Sequence, residues 1–209
     1  MRLLAGTASW TDPTLMACGR FYPPHANSAE ARLRFYASRF GLAEVDSSYY
    51  ALPSAENAYL WAQRTPDDFV FNIKAYRLFT GHQTPLTALP ADIRQELGDW
   101  PEPVIYHRGM PDDLRDELWR RYTLALEPLR MADKLGAVHF QFPPWVQRDA
   151  RGMALVADCV RRLEDHLVSV EFRHRSWFAT PAATAATLAM ERELGVVHTV
   201  VDAPQGFDN

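Results

Sequence analysis

The chain has 209 residues, 47% of them hydrophobic and 23% charged, with a formal net charge of −4. That composition suits one globular domain, spanning 1–209, and excludes a disordered, fibrous or low-complexity chain. It also disfavours retention on nucleic acid by bulk positive charge, and no apolar run approaches the ~20 residues of a membrane-spanning helix. From the N-terminus, Leu3–Ser9 has strand length, and Ser28 is an N-cap candidate for a helix reaching Phe40 with Leu33, Tyr36 and Ala37 on one face. Leu42–Ser48 is the second strand, Ser54 precedes a helix through Arg64, and Phe69–Ala75 is the third strand. A Pro-rich stretch over 81–110 breaks the rhythm and reads as a long excursion rather than a separate domain. Beyond it come a helix over Pro111–Leu135, a strand over Ala137–Phe142, a helix over Gly152–His166 and a strand over Leu167–Arg173. Thr180–Pro181 opens a last helix to Leu194, before a sixth strand over Val196–Asp202.

Gly41, Gly136 and Gly195 each follow the last apolar residue of a predicted helix, where a glycine can supply a left-handed cap. Strand, helix, Gly, strand, repeated, is the mark of parallel βα units. The polar residues within each strand share one parity: Thr7 and Ser9; Glu44, Asp46 and Ser48; Asn72 and Lys74; His139 and Gln141; Ser169, Glu171 and Arg173; His198 and Asp202. Side chains alternate across a strand, so each set projects to one face. An open sheet with helices on both faces would leave such charges unsatisfied, whereas a barrel places them in its interior near the C-terminal mouth. The predicted fold class is therefore α/β, a TIM-like parallel (β/α) barrel.

The same segments carry a resemblance. Gly6-Thr7-Ala8-Ser9-Trp10, Glu44-Val45-Asp46-Ser47-Ser48-Tyr49-Tyr50 with Leu52-Pro53, and Phe69-Val70-Phe71-Asn72-Ile73-Lys74-Ala75 with Thr80 and His82 come first. Gln141-Phe142-Pro143-Pro144 and Val170-Glu171-Phe172-Arg173-His174 with Trp177 follow in order. They resemble the YecE-like family, domain of unknown function 72. The resemblance implies a TIM-barrel-like fold and no established activity. It also implies a further strand and helix beyond Val200-Val201-Asp202. With about six βα units the barrel is expected to be incomplete, its C-terminal strands missing after Asn209. An open edge there would favour self-association.

The polar sets supply the site expectations. Glu171 is the first choice for a general base and Glu44 the second, with Asp46 and Lys74 completing the catalytic set. A core ion network that holds the strands in register is the competing reading for Glu171 and Arg173. Asp46 would otherwise only accept hydrogen bonds from Ser48 and its neighbours. Lys74 would act covalently only if its pKa were lowered, and otherwise pairs with Glu44 or Glu171. Substrate contacts are expected from Ser9, Trp10, His82, Gln141, Arg173, His174, Trp177 and Asp202, on a small polar or anionic ligand. His139 and His198 read as hydrogen-bonded core histidines.

No His-x-His, Cys-x-x-Cys, Gly-x-Ser-x-Gly or Gly-x-Gly-x-x-Gly spacing occurs, so neither a metal nor a cofactor is expected. Cys18 and Cys159 are too few for a disulfide framework, and MRLLAGTASW has no leader pattern, which points to thiols in the cytoplasm. Three functions fit: an acid–base enzyme at the barrel mouth, a metal-dependent phosphodiesterase like the endonuclease IV type of barrel, and a non-catalytic ligand-binding module. Only fold analogy supports the second.

Overall fold

The computed structural model describes residues Leu3–Asp202. Asn209, where the sequence reading leaves the barrel unfinished, lies outside them. In chain order the elements are β1 (Gly6–Ala8), α1 (Pro13–Ala17), α2 (Ala29–Ala37), β2 (Leu42–Val45), α3 (Ser47–Tyr50), α4 (Ala55–Gln63), β3 (Val70–Lys74) and β4 (Thr84–Pro85). Then come α5 (Ala91–Leu97), β5 (Val104–Ile105), α6 (Asp112–Met131), β6 (Leu135–Phe142), α7 (Ala150–Arg161), β7 (Val168–Phe172), α8 (Pro181–Leu194) and β8 (Val197–His198). The fold is α/β, with six parallel strands in the order β1-β2-β3-β6-β7-β8, while β4 pairs antiparallel with β5.

Helix starts follow from local side-chain chemistry. The hydroxyls of Ser28, Ser54 and Thr180 accept the N–H of Ala31, Asn57 and Ala183, as their place before the apolar periods predicts. The helix expected from Gly152 starts two residues earlier, because the Asp149 carboxylate caps it by accepting the Gly152 N–H.

Of the three predicted glycine caps, only Gly195 adopts the left-handed conformation, at φ 67°. After α6 that conformation belongs to Asp133, at φ 55°, and Gly136 instead lies inside β6. A Cβ on Gly136 would strike Asn72 Oδ1 and come within 2.6 Å of Val70 Cγ1, so this glycine is there for close backbone approach. Every predicted strand except β6 is shorter than expected, β1, β2 and β8 most: β2 stops at Val45, because Ser47–Tyr50 is helical, so Asp46 and Ser48 are not strand. β1 begins at Gly6, and β8 is only Val197–His198, so Val200–Asp202 is not strand.

The chain divides into two compact units: residues up to Lys74 with Arg121–Gly136, and Ala75–Arg120 with the chain from Ala137 onward. In the first unit, β2 and β3 alternate between buried and half-buried residues, with Ala43, Val45, Phe71 and Ile73 inside. Glu44, Asn72 and Lys74 occupy the opposite face, as the parity argument predicts. Trp10 packs edge-on against Trp61 and Phe71, and Tyr36 against Phe69. Lys134 is buried, and its ammonium donates to the carbonyls of Ala62 (2.6 Å) and Thr65 (2.8 Å), closing the end of α4.

In the second unit, β6, β7 and β8 are in parallel register, with His139 opposite Ser169, Gln141 opposite Glu171 and Ser169 opposite Val197. A ladder of rings forms the core: Phe140, Phe142, Phe172 and Trp177 stack in succession, and Trp119 lies flat on Phe79 at 3.7 Å. The 81–110 excursion is ordered, carries α5 and the β4–β5 pair, and buries Ile93, Ile105 and Met110.

Candidate functional site

In the first unit the candidate residues stand at strand ends. Ser9 follows β1 at φ 83°, a conformation L side chains rarely adopt, and its N–H donates to the Glu44 carbonyl at 2.8 Å. Glu44 is half-buried on β2, between Ala8 and Asn72 in the register. Asp46 follows β2 and pairs with Lys74, the last residue of β3, with Nζ 3.2 Å from Oδ1. Lys74 also lies 5.7 Å from the centre of the Tyr49 ring. The neighbours expected for both residues therefore change. Ser48 does not serve Asp46, because its hydroxyl lies 2.6 Å from the carbonyls of Val45 and Lys74. In this unit Lys74 has Asp46 as its counter-ion, which fits the ion-paired reading better than the covalent one. Trp10 is buried among rings, and this corrects its expected place against a ligand.

The second unit holds the densest polar cluster. Glu171, only 5% exposed, uses both carboxylate oxygens. Its Oε1 accepts from Gln141 Nε2 at 3.0 Å and from Arg173 Nε, and its Oε2 lies 3.3 Å from His139 Nε2. The other nitrogen of His139 is 3.1 Å from the Ser169 hydroxyl and 3.5 Å from that of Thr199. Register explains the cluster: cross-strand partners His139 with Ser169, and Gln141 with Glu171, fall side by side on one face. Burial pushes the Glu171 carboxyl up, but the hydrogen bond from His139 and the charge and hydrogen bond of Arg173 outweigh it. The net result is a carboxyl held below the ordinary range and ionised at neutral pH. Arg173 anchors to this buried carboxylate through Nε. Its side chain is 35% exposed, and its two terminal nitrogens have no partner among the described residues.

The remaining candidates scatter. His82 Nδ1 lies 2.7 Å from the Thr80 hydroxyl, and its ring sits edge-on to Trp145. His174 caps the short turn Arg175–Trp177 through Ser176, so its ring serves the backbone. Trp177 is 0% exposed, stacked on Phe172, with its N–H donated to the Val146 carbonyl at 2.9 Å. This corrects the expectation that it touches a ligand. Asp202 is exposed beyond β8 and joins no polar group among the described residues. His198 pairs with buried Glu191 at 2.9 Å, a contact between β8 and α8. His139 and Ser169 were visible in the sequence as members of the polar parity, but not His139 as a partner of Glu171 or Ser169 as a partner of His139. Only the inter-strand register shows that, and no sequence spacing encodes it.

A family model described as "Protein of unknown function DUF72" matches residues 4–209. The chain is 34% identical over 184 residues to UPF0759 protein YunF of Bacillus subtilis (strain 168), a match that covers 88% of this chain and 56% of that one. A solved DUF72 family protein from Enterococcus faecalis V583 superposes with a TM-score of 0.70 at 22% identity, covering 96% of this chain and 61% of its own. Another from Thermotoga maritima MSB8 gives 0.58 at 23% identity, covering 90% and 60%. At these identities the solved structures bear on the fold alone. The chain spans little more than half the length of the relatives it matches.

Proposed function

Since the chain belongs to the DUF72 family, a family without an assigned activity, its chemistry has to be read from its own side chains; we propose a cytoplasmic enzyme on a TIM-like barrel that performs acid–base chemistry on a small polar or anionic substrate. The observation that carries this is the Arg173–Glu171–His139 arrangement at the C-terminal end of β7. Arg173 offers its unpartnered edge to an anionic group, in the fixed fork geometry that suits carboxylate or phosphate. Glu171 is the general base. It has the right protonation state, but its low basicity means the substrate proton must already be acidified, which the Arg173 cation beside it supplies. His139 and Gln141 are positioning residues that fix the carboxylate, and Ser169 fixes His139 in turn.

A thermal-shift screen of small carboxylates, phosphates and sugar acids tests this. At least one anion should raise the melting temperature of the wild-type chain and lose most of that effect in R173Q. No stabilising anion, or one equally effective on R173Q, would overturn the reading. Cleavage of a DNA or RNA substrate that appears only with added Mn²⁺ or Zn²⁺ would move the assignment to the phosphodiesterase. An anion bound at Arg173 that is released unchanged, with its bound form insensitive to E171Q, would make the site a non-catalytic binding module.

A further inference from the structure

A cavity of about 950 Å³ opens in the second unit between the 81–110 excursion, the start of α6 and the first turns of α7. Its volume falls in the range of sites for drug-sized ligands. Gln141, Glu171 and Arg173 are not among its lining residues, so it is distinct from the cluster described above. The wall is apolar, from Val146, Ala154 and Leu155, and glycines let backbone come close. A Cβ on Gly152 would collide with the Gln147 carbonyl, and Gly81 stands at φ 79°. At the rim, Trp145 is 56% exposed, yet it is held in place by donating its N–H to the Gly81 carbonyl at 3.0 Å. Tyr106 is also exposed at this rim. Solvent-facing aromatic surfaces at a pocket mouth are ready to stack on a ring, and the anchored indole of Trp145 does so with little loss of side-chain entropy.

The charges are unevenly spent. The lining acids are engaged: Asp149 caps α7 at 2.8 Å, and Asp158 is bound by Arg161 and by Arg162 at 3.1 Å. Arg115 is held by Asp112 at 2.5 Å. Burial, with the nearby Arg115 charge, pushes His107 down to about 4, so its ring is neutral at pH 7 and adds no charge. Arg108 and Arg151, by contrast, are exposed and have no hydrogen bond or ion pair among the described residues. An apolar, aromatic-rimmed pocket with two uncommitted guanidinium groups selects for a ligand with the opposite endowment. We propose that this cavity binds a small aromatic anion, its ring against Trp145 and Tyr106 and its phosphate, sulfonate or carboxylate on Arg108 and Arg151.

The probe that tests this is 8-anilinonaphthalene-1-sulfonate, followed by fluorescence on the folded chain, beside its uncharged analogue N-phenyl-1-naphthylamine. The sulfonate should bind saturably at one site per chain. R108Q/R151Q should raise its dissociation constant about tenfold, and the neutral analogue should bind about tenfold more weakly than the sulfonate. Ala154 is exposed on the cavity wall, so A154W, which fills the space, should abolish binding while circular dichroism and melting temperature stay unchanged. Absence of saturable binding, equal affinity in R108Q/R151Q, or equal affinity for the neutral analogue would each overturn the proposal. So would an acidic peptide that binds here when the sulfonate does not.

Discussion

At the scale of single residues, two buried groups make opposite use of the same low-dielectric surroundings. Glu171 keeps its charge because His139 and Arg173 compensate burial; His107 loses its charge because burial and the nearby Arg115 charge outweigh the opposing pull of Asp158. Both leave a signature in stability against pH, in different windows. The His107 ring titrates lower in the folded chain than in the unfolded one. Its contribution is therefore complete above the ordinary 6.5 and is lost as the pH falls toward about 4. The Glu171 carboxyl also titrates lower when folded, so its contribution is complete above the ordinary carboxylate range and is lost only as the pH falls below it. Denaturant midpoints measured from pH 8 to pH 3 should show H107F flattening the upper limb alone and E171Q the lower limb alone. E171Q should also cost about 2–3 kcal/mol at neutral pH, since it leaves Arg173 without its counter-ion and His139 and Gln141 without their carboxylate acceptor. A pH profile unchanged by either variant would remove the electrostatic account of both sites.

At the scale of elements, the caps at Ser28, Ser54 and Thr180 were legible because one side chain and the next three residues decide them. Gly41, Gly136 and Gly195 looked alike in sequence and differ in structure, since a glycine needed for conformation and one needed for space share a spelling. The three should separate by mutation. G136A should cost about 2–3 kcal/mol, because its Cβ meets Asn72 and Val70. G195A should cost about 1 kcal/mol for the left-handed backbone alone, with open space around it. G41A, whose φ is not positive and whose Cβ meets only the flexible tip of Leu4 at 3.1 Å, should fall within about 0.5 kcal/mol of wild type. Chemical denaturation orders them, and G41A as the most damaging would contradict the assignment. Strand ends were less legible: apolar composition carried on through Val200 and Val201, but the strand ends at His198, with the Thr199 N–H on the Val170 carbonyl just beyond it. Burial was the other blind spot. Trp10 and Trp177 sit in motifs next to polar residues, and only tertiary packing shows that their rings belong to the core.

At the scale of the whole molecule, the α/β class and the strand order follow from the repeating strand–helix rhythm, and no helix among the described residues is long and apolar enough to cross a membrane. The parity of polar residues marked the strand faces that matter. What it could not give was which polar residue meets which, because register is set by packing between segments 30 residues apart, as with Gln141 and Glu171. That pairing leaves Arg173 anchored at one end and open at the other, and the functional reading stands on it. The direct measurement is isothermal titration calorimetry of the anion that most stabilises the wild-type chain, run against wild type, R173Q and R108Q/R151Q. One-site binding that weakens at least about tenfold in R173Q and is unchanged in R108Q/R151Q is the expected result. Affinity unaltered in R173Q would contradict it.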